Sequence, residues 1–318
     1  MPGDGRRFFL SVMTIAAYTE PQHQRIETKG SITHRYWFDG LVQCTAWAGD
    51  MDAKRWSMKS SHEESRERTT WAGTKSYEAA AKLVMKGWKK GRQQLLDNVE
   101  AIALKKDLVD MPSSLYDVAG ARPEVPLAVA GDPCCMWDAN PLAESKAPTY
   151  RLFINISASC KWDAKHLMNW GACILSVVDS LEAQGNCSIE VNICQGNKGG
   201  HGRSEFIVRL KEAGQHIDFD IMAFAIAHPS MLRRVMFGCM ERVAEDGFEQ
   251  LMGHGYGRPA ELGSDVLGSD LYVPGIGDCG IPEPLLMHYS AERLFPHVLE
   301  GFKHLMAGRT FQGQERAA

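Results

Sequence analysis

Two short apolar runs that flank one long helical pattern constrain the fold more than any other feature. "YRLFINIS" begins at Tyr150 and "CSIEVNICQG" begins at Cys187. Between them, "DAKHLMNWGACILSVVDSLEAQG" has apolar residues at helical spacing, from Asp163 to Gly185. A strand, a long helix and a strand with short links form a βαβ unit, which requires parallel strands and a right-handed crossover. The pattern therefore predicts an α/β domain.

The segments after this unit belong to the same class. "EFIVRLKEAG" follows the glycine-rich "GNKGGHGRS" and predicts a strand antiparallel to the one before it. Helical patterns lie on both sides of Pro229, a short strand follows in "GSDLYVPGIGDCG", and an amphipathic helix comes last. We predict one α/β domain over residues 150–318, with a mostly parallel sheet and helices on both faces.

The N-terminal half reads differently. Residues 1–70 have no sustained period and predict an irregular arm. Residues 71–149 predict a helical hairpin followed by an extended Gly- and Pro-rich connector, with Ser76 as an N-cap and Gly87 as a helix end. We expect Trp71 and Trp88 to be buried anchors for this region.

The composition excludes several classes of function. The chain has 318 residues, 23% of them charged, and a formal net charge of −4, which argues against nucleic-acid coating. No apolar run approaches the roughly 18 residues of a membrane span, so we expect no membrane partner. The nine cysteines are odd in number and lack a Cys-x-x-Cys pair. We therefore expect free thiols and a cytoplasmic location.

The corner "NISAS", Asn155 to Ser159, joins the first strand to its helix. This strand–corner–helix–strand pattern resembles the von Willebrand factor A domain, whose Asp-x-Ser-x-Ser corner binds Mg²⁺ together with a Thr and an Asp from later loops. The resemblance implies a von Willebrand A-like sheet over about half of the chain. It matches Asn155 to the Asp, and Ser157 and Ser159 to the two serines.

The corner departs from the family pattern because Asn155 carries no charge. Asp265, Asp270 and Asp278 are the candidates for the later Asp, and no motif chooses among them. A hard divalent cation needs anionic oxygens to replace its hydration water. We expect no cofactor, with weak Mg²⁺ binding as the alternative, and a corner that organises its own loops.

Two loops are further candidates. Lys198, His201 and Arg203 lie in "GNKGGHGRS", where cations and exposed amides predict an anion or nucleic-acid contact, although the P-loop spacing is missing. A flexible hairpin tip is the alternative. The loop "MGHGYGRP", residues 252–259, is glycine-rich and could line a partner site.

Three function classes follow. The preferred one is a non-enzymatic protein-binding or scaffold module, whose partner by analogy with the resembling family could be a MoxR-type AAA+ ATPase. The second is an enzyme or nucleic-acid-processing accessory that would use His201, His228, His254 and an Asp above the sheet. The third is a self-assembling structural protein, a homo-oligomer that exchanges its N-terminal arm.

The segments "WAGTKSYEAAAKLVMKGWKKG", "VAGDPCCMW" and "FAIAHPSMLRRVMF" also resemble a bacteriophage-type protein of unknown function. This second resemblance implies the cytoplasm of a host cell as the location. It implies no activity.

Overall fold

The computed structural model describes residues 19–57, 60–63, 71–93, 97, 116–117, 122–123, 128–131, 135–137, 149–183, 188–216, 218–243, 245–253, 255–262, 267–307 and 310–311. Within these residues the strands are β1 Gln22–Thr28, β2 Ser31–Phe38, β3 Tyr116–Asp117, β4 Arg122–Pro123, β5 Met136–Trp137, β6 Thr149–Asn155, β7 Ser188–Lys198, β8 Gly202–Lys211, β9 Arg258–Ala260 and β10 Leu271–Val273.

The described helices surround one large core. They are α1 Leu41–Gly49, α2 Tyr77–Lys86, α3 Ala164–Ala183, α4 Phe219–Ala227, a π-helical segment Met231–Met236 that continues as α5 Phe237–Met240, α6 Phe248–Leu251, α7 Glu283–His288 and α8 Ala291–Met306. The Ser76 side chain accepts a hydrogen bond from the Ala79 N–H and caps α2, which ends at Gly87 with φ of 73°. Both ends of this helix are as predicted.

A seven-stranded sheet forms the centre of the fold, in the order β1-β2-β8-β7-β6-β10, with β9 paired to β7. The β6–β7 pair is parallel and joined by α3, so the predicted βαβ unit is confirmed. The β7–β8 pair is antiparallel, also as predicted. The α/β class is therefore confirmed, in a sheet that mixes parallel and antiparallel pairs. Strands β3, β5 and β4 form a separate small sheet.

The two faces of the sheet are covered differently. Alternate strand residues such as Leu152 and Ile154 belong to the large core, to which every helix with bounds given above contributes. The residues between them, such as Phe153 and Cys194, form a small cluster with Leu262. The sequence predicts helices on both faces of the sheet, whereas these helices all pack against the face that carries Leu152 and Ile154. One reason is that the β7–β8 hairpin needs no crossover helix.

The N-terminal segment differs from the predicted irregular arm. Residues 22–49 form β1, β2 and α1, and β2 runs parallel to β8 with Tyr36 opposite Phe206. Tyr36 and Phe38 are 2% and 3% exposed, so this segment is part of the core. It therefore shares one core with the region predicted as a separate domain. Residues 1–18 lie outside the described part of the chain.

The expectation that Trp71 is buried is wrong. Its side chain is 37% exposed and lies against the Arg233 guanidinium, 4.6 Å from the ring centroid. This cation–π contact gives the indole a partner at the surface, so it needs no burial. Trp88 is half-buried and meets the His228 ring edge-on at 4.3 Å.

The cysteines that the structure describes are all free thiols: Cys44, Cys135, Cys160, Cys173, Cys194, Cys239 and Cys279. The closest pair, Cys44 and Cys239, has its sulfur atoms 3.6 Å apart, well beyond the roughly 2 Å of a disulfide bond. The remaining two cysteines lie outside the described residues.

A fully buried ion pair joins the N-terminal segment to the helical layer. The Lys54 Nζ lies 2.9 Å from Glu241 Oε2, and both side chains are 0% exposed. The Ser61 N–H and hydroxyl and the Tyr256 hydroxyl also donate to this carboxylate. Burial opposes the charge, but hydrogen bonds, including one from His62, and the charge of Lys54 lower the pKa of Glu241 to about 2.

Two buried arginines make a second link through backbone carbonyls. Arg233 donates to the carbonyls of Trp71 and Trp162, each at 2.6 Å. Arg234 donates to the carbonyls of Ser61, Glu63 and Thr74. Because these guanidinium groups bind backbone inside the fold, they are structural anchors.

We expect Glu241→Gln to lower the free energy of unfolding by about 3–5 kcal/mol, because Lys54 is then a buried charge without a counterion. Urea denaturation at pH 7 measures the change. Glu283→Gln is the matched control: it removes a carboxylate from the exposed pair with Lys161, at 2.5 Å, and should cost at most about 1 kcal/mol. Equal losses for the two variants would contradict this role of Glu241.

Candidate functional site

The polar corner lies where the carboxyl ends of parallel strands meet. β6, β7 and β10 run in the same direction, and Asn155 ends β6 opposite Cys194 of β7. The loop that follows β9 approaches the same place, because Gly196 of β7 pairs with Ala260. Open α/β sheets place their ligands at this edge.

The Asn155 side chain is fully engaged by the protein. It is 1% exposed, and its Nδ2 faces the Ala260 carbonyl at 3.2 Å, Glu261 Oε1 at 3.2 Å and the Tyr272 hydroxyl at 3.1 Å. Its Oδ1 accepts from the Ser157 N–H at 2.9 Å. Because Nδ2 points at the carboxylate, this amide supplies a hydrogen-bond donor where the resembling family has a metal-binding carboxylate.

The two serines of the corner have separate environments. The Ser157 hydroxyl donates to the Gly196 carbonyl and accepts from the Gly196 N–H, both at 3.0 Å, and so ties β6 to β7. Ser159 is half-buried, and its carbonyl accepts from the Trp162 N–H at 3.2 Å. Since Ser157 is committed to the backbone, it is not free to bind a cation.

Glu261 is the carboxylate that completes the corner, and it is not among the residues that the sequence predicts there. It accepts from the Tyr272 hydroxyl at 2.5 Å and from the Gly275 N–H at 3.1 Å, besides Asn155. Burial raises the pKa of Glu261, the nearby charge of Asp278 raises it further, and these hydrogen bonds oppose both. All of these hydrogen-bond donors to the Glu261 carboxylate are therefore protein groups. The side chains of the corner satisfy one another and do not fit a resident divalent cation.

The three candidate aspartates do not meet at the corner. Asp278 is exposed in the loop after β10 and acts electrostatically on Glu261, so it lies near the corner. Asp270 accepts from the Arg151 N–H at 2.7 Å at the start of β6, about 13 Å of strand from Asn155. Asp265 lies outside the described residues.

Of the predicted basic residues Lys198, His201 and Arg203, the structure places only Lys198 and Arg203 side by side. Lys198 pairs with Arg203 on one side and with Arg258 on the other, so three cations form one cross-strand row. Arg203 donates to Glu205 and to the Glu261 carbonyl, and is half-buried. His201 is exposed at the hairpin tip.

A surface cleft of about 580 Å³ lies beside this row. Its lining residues are Lys198, Gly199, Gly200, Met252, Gly253, Gly255, Tyr256, Gly257 and Arg258. Residues 252–253 and 255–258 of the predicted loop thus line it together with the hairpin tip. His201 and Arg203 are not among the lining residues, and Arg258 takes their place.

The described histidines of the enzyme hypothesis do not converge. His228 is 7% exposed within the helical layer, where its Nδ1 accepts from the Ser230 N–H at 3.0 Å. Burial lowers the pKa of His228 to about 4. The His201 carbonyl instead accepts a hydrogen bond from the Ile32 N–H, and the His201 N–H donates to the Leu251 carbonyl. His254 lies outside the described residues.

The described residues offer neither a metal site nor a membrane span. They contain no cluster of three or more His, Cys, Asp or Glu side chains placed to hold a metal ion. No helix in this part of the chain combines the length and the apolarity that a bilayer span requires.

We expect the Asn155→Asp variant to lose stability without metal, because its carboxylate would face Glu261, and to regain it with Mg²⁺ or Mn²⁺. Wild type should show no saturable response to either cation. Thermal melting with and without each cation measures this effect, and calorimetric titration gives the affinity.

The double variant Asn155→Asp with Glu261→Gln is the control, since it removes the second carboxylate and should abolish the metal response. Tight metal binding by wild type that Ser157→Ala abolishes would contradict the hydrogen-bonded corner.

His228 should make stability depend on pH. Its pKa is lowered in the fold, so the unfolded chain binds the proton first, and stability falls as pH drops from about 6.5 to about 4. The His228→Asn variant keeps an acceptor for the Ser230 N–H but cannot titrate. Urea denaturation between pH 4 and 7 should show a slope smaller by about one proton, or ~1.4 kcal/mol per pH unit. Identical slopes would rule out the buried neutral imidazole.

One comparison with known proteins identifies a family. Neither a curated protein nor a solved structure matches the chain. The model of a domain of unknown function, DUF7192, matches residues 42–282, which is more than half of the 318 residues. The matched range includes both of the boundaries that the sequence predicts, at residues 70 and 149. The hydrophobic core also contains residues from both sides of each boundary. The chain therefore belongs to the DUF7192 family of domains of unknown function.

Proposed function

We propose that this chain is a non-enzymatic protein-binding module that engages a partner through the carboxyl edge of its sheet and needs no metal ion there. The observation that carries the proposal is the closed hydrogen-bond set of Asn155. Its amide and Glu261 satisfy each other, together with Tyr272 and Ala260.

Close backbone packing supports a rigid binding edge. A Cβ on Gly275 would lie 2.7 Å from the Ser157 carbonyl oxygen, and one on Gly196 would lie 2.5 Å from that of Ala260. The loop after β10 therefore touches the corner, and β9 touches β7, backbone to backbone, which fixes their relative positions. A preorganised surface loses less entropy when it binds a partner.

The same edge offers charged groups to a partner. Lys161, Asp163, Asp278 and Glu283 are exposed around the corner. The antiparallel β8 next to the parallel β6–β7 pair supports the resemblance to von Willebrand A modules. That resemblance makes a MoxR-type AAA+ ATPase the first partner to test, with the host cytoplasm as the setting if the chain is phage-encoded.

The other two function classes have less support. The enzyme hypothesis required titratable groups in one place, and His201 and His228 contact different parts of the fold. The assembly hypothesis required an arm that leaves the body, and residues 22–49 instead pack within their own sheet and core.

Charge reversal at each end of the sheet tests the proposal. Asp278→Lys changes an exposed acid at the corner, and Glu212→Lys changes an exposed acid at the opposite end, after β8. Like charges placed across an interface cost several kcal/mol, so Asp278→Lys should weaken partner binding about tenfold or more. Glu212→Lys should leave it unchanged.

The measurement is biolayer interferometry with a purified MoxR-type ATPase, and quantitative mass spectrometry of proteins retained from host lysate. Binding should persist in EDTA. Equal retention of every protein by both variants would refute the assignment of this edge, and loss of binding in EDTA would refute the metal-free mode.

A further inference from the structure

We infer that the cleft between the hairpin tip and the loop 252–259 is an oxyanion-binding site that takes a phosphate group. The inference uses Lys198, Arg258 and the glycine backbone around them, and none of the corner residues. It is therefore independent of the proposed function, and either can fail alone.

Two cations stand together at the cleft. Lys198 and Arg258 are direct cross-strand partners, so their side chains leave the same face of the sheet about 5 Å apart. Both are exposed and line the cleft. Within the described residues, neither side chain makes an ion pair or a hydrogen bond. Two adjacent positive charges without a counterion repel each other, and a bound dianion removes that repulsion.

Arg203, the third cation of the row, differs from Lys198 and Arg258 because its guanidinium is hydrogen-bonded within the protein. Arg203 pairs with Lys198 on the other side but donates to Glu205 and to the Glu261 carbonyl. Glu205 also pairs with Arg35 at 2.5 Å. The carboxylate at this end of the row is thus already shared by two arginines, and it does not neutralise Lys198 or Arg258.

The glycines of the cleft are of two kinds. Gly199 and Gly257 are required by packing, since a Cβ at these positions would lie 2.3 Å and 2.6 Å from backbone atoms. Gly200 and Gly255 have no such reason. A Cβ on Gly255 would meet nothing within 4 Å, and one on Gly200 would meet only the Leu251 carbonyl oxygen at 3.5 Å. Their missing side chains leave open space in the cleft beside the backbone of the hairpin tip and the loop.

The aromatic wall favours a compact anion over a nucleotide. The Tyr256 ring has Phe237 stacked at 3.8 Å on its plane and Trp56 stacked at 5.8 Å. Its hydroxyl is bonded to Glu241 and Ser60. A base that stacked on this ring would compete with these two aromatic neighbours, whereas a tetrahedral phosphate needs only cations and amides.

The test titrates the purified full chain at low ionic strength with inorganic phosphate, followed by calorimetry and ³¹P NMR. Wild type should bind saturably with Kd on the order of 1 mM or tighter, and binding should weaken as salt rises. Lys198→Gln and Arg258→Gln should each weaken binding about tenfold. The control pair Lys89→Gln with Lys303→Gln removes two exposed charges elsewhere and should change nothing.

A second pair of variants separates binding from folding. Gly255→Glu places a carboxylate in open cleft space and should abolish phosphate binding without changing the melting temperature. Gly40→Glu is its control, because a Cβ there also meets nothing within 4 Å and its φ of −175° is extended. Phosphate binding that survives Gly255→Glu would overturn the assignment.

Two further probes identify the source of the phosphate. A capped phosphoserine tripeptide that binds tenfold tighter than inorganic phosphate indicates a phosphorylated protein, and equal or weaker binding indicates a free phosphate group; both results support the oxyanion site. AMP should bind no tighter than inorganic phosphate. Absence of saturable phosphate binding, equal binding by the charge variants and their control, or tenfold tighter binding of AMP would overturn the proposal.

Discussion

The buried Glu241 carboxylate holds together parts of the chain that are far apart in sequence. Lys54 and Ser61 reach it from the N-terminal segment, and Tyr256 reaches it from the loop that lines the cleft. A charge at 0% exposure is tolerated only when it is paired and hydrogen-bonded, so these groups must stay in place together. The wall of the cleft is therefore positioned by an ion pair in the core, through the hydroxyl of one tyrosine.

The sequence predicted the parts of the fold whose signals are local. The βαβ unit from Thr149 to Lys198 is indicated by the spacing of apolar residues along one continuous segment. The β7–β8 hairpin joins two strands that are neighbours in sequence. The pairing of β2 with β8 joins residues about 170 positions apart, as Tyr36 opposite Phe206 shows. No local pattern predicts such a contact, so the sequence predicts an irregular arm where the structure has two strands and a helix. Trp71 differs from the sequence prediction because its partly exposed ring covers the guanidinium of the buried Arg233, a contact that no local pattern predicts.

The candidate site follows the same rule: residues with a local sequence signal are predicted, and residues placed by long-range pairing are not. Asn155 and Ser157 follow a clear strand, so their place at a sheet edge could be inferred. Arg258 begins β9 and Glu261 follows it directly, and β9 is a strand of only three residues that contains Pro259. Proline in a strand argues against a strand assignment, so no sequence pattern places these side chains at the edge of the sheet. A search for any carboxylate, instead of an Asp alone, would have included Glu261.

The two polar regions at this end of the sheet differ in how their charges are balanced. In the corner, an amide takes the position of a carboxylate, and Glu261 then finds donors in Asn155, Tyr272 and the Gly275 N–H. The requirement for a counter-cation is removed, and the corner is closed. One row of residues away, Arg203 is bound by Glu205, while Lys198 and Arg258 face open space. An arrangement that hydrogen-bonds the Asn155 amide and the Glu261 carboxylate yet leaves two cations beside a cleft is stable without a ligand and complementary to an anion. The closed corner supplies the rigidity, and the open row supplies the charge with which a ligand can be bound.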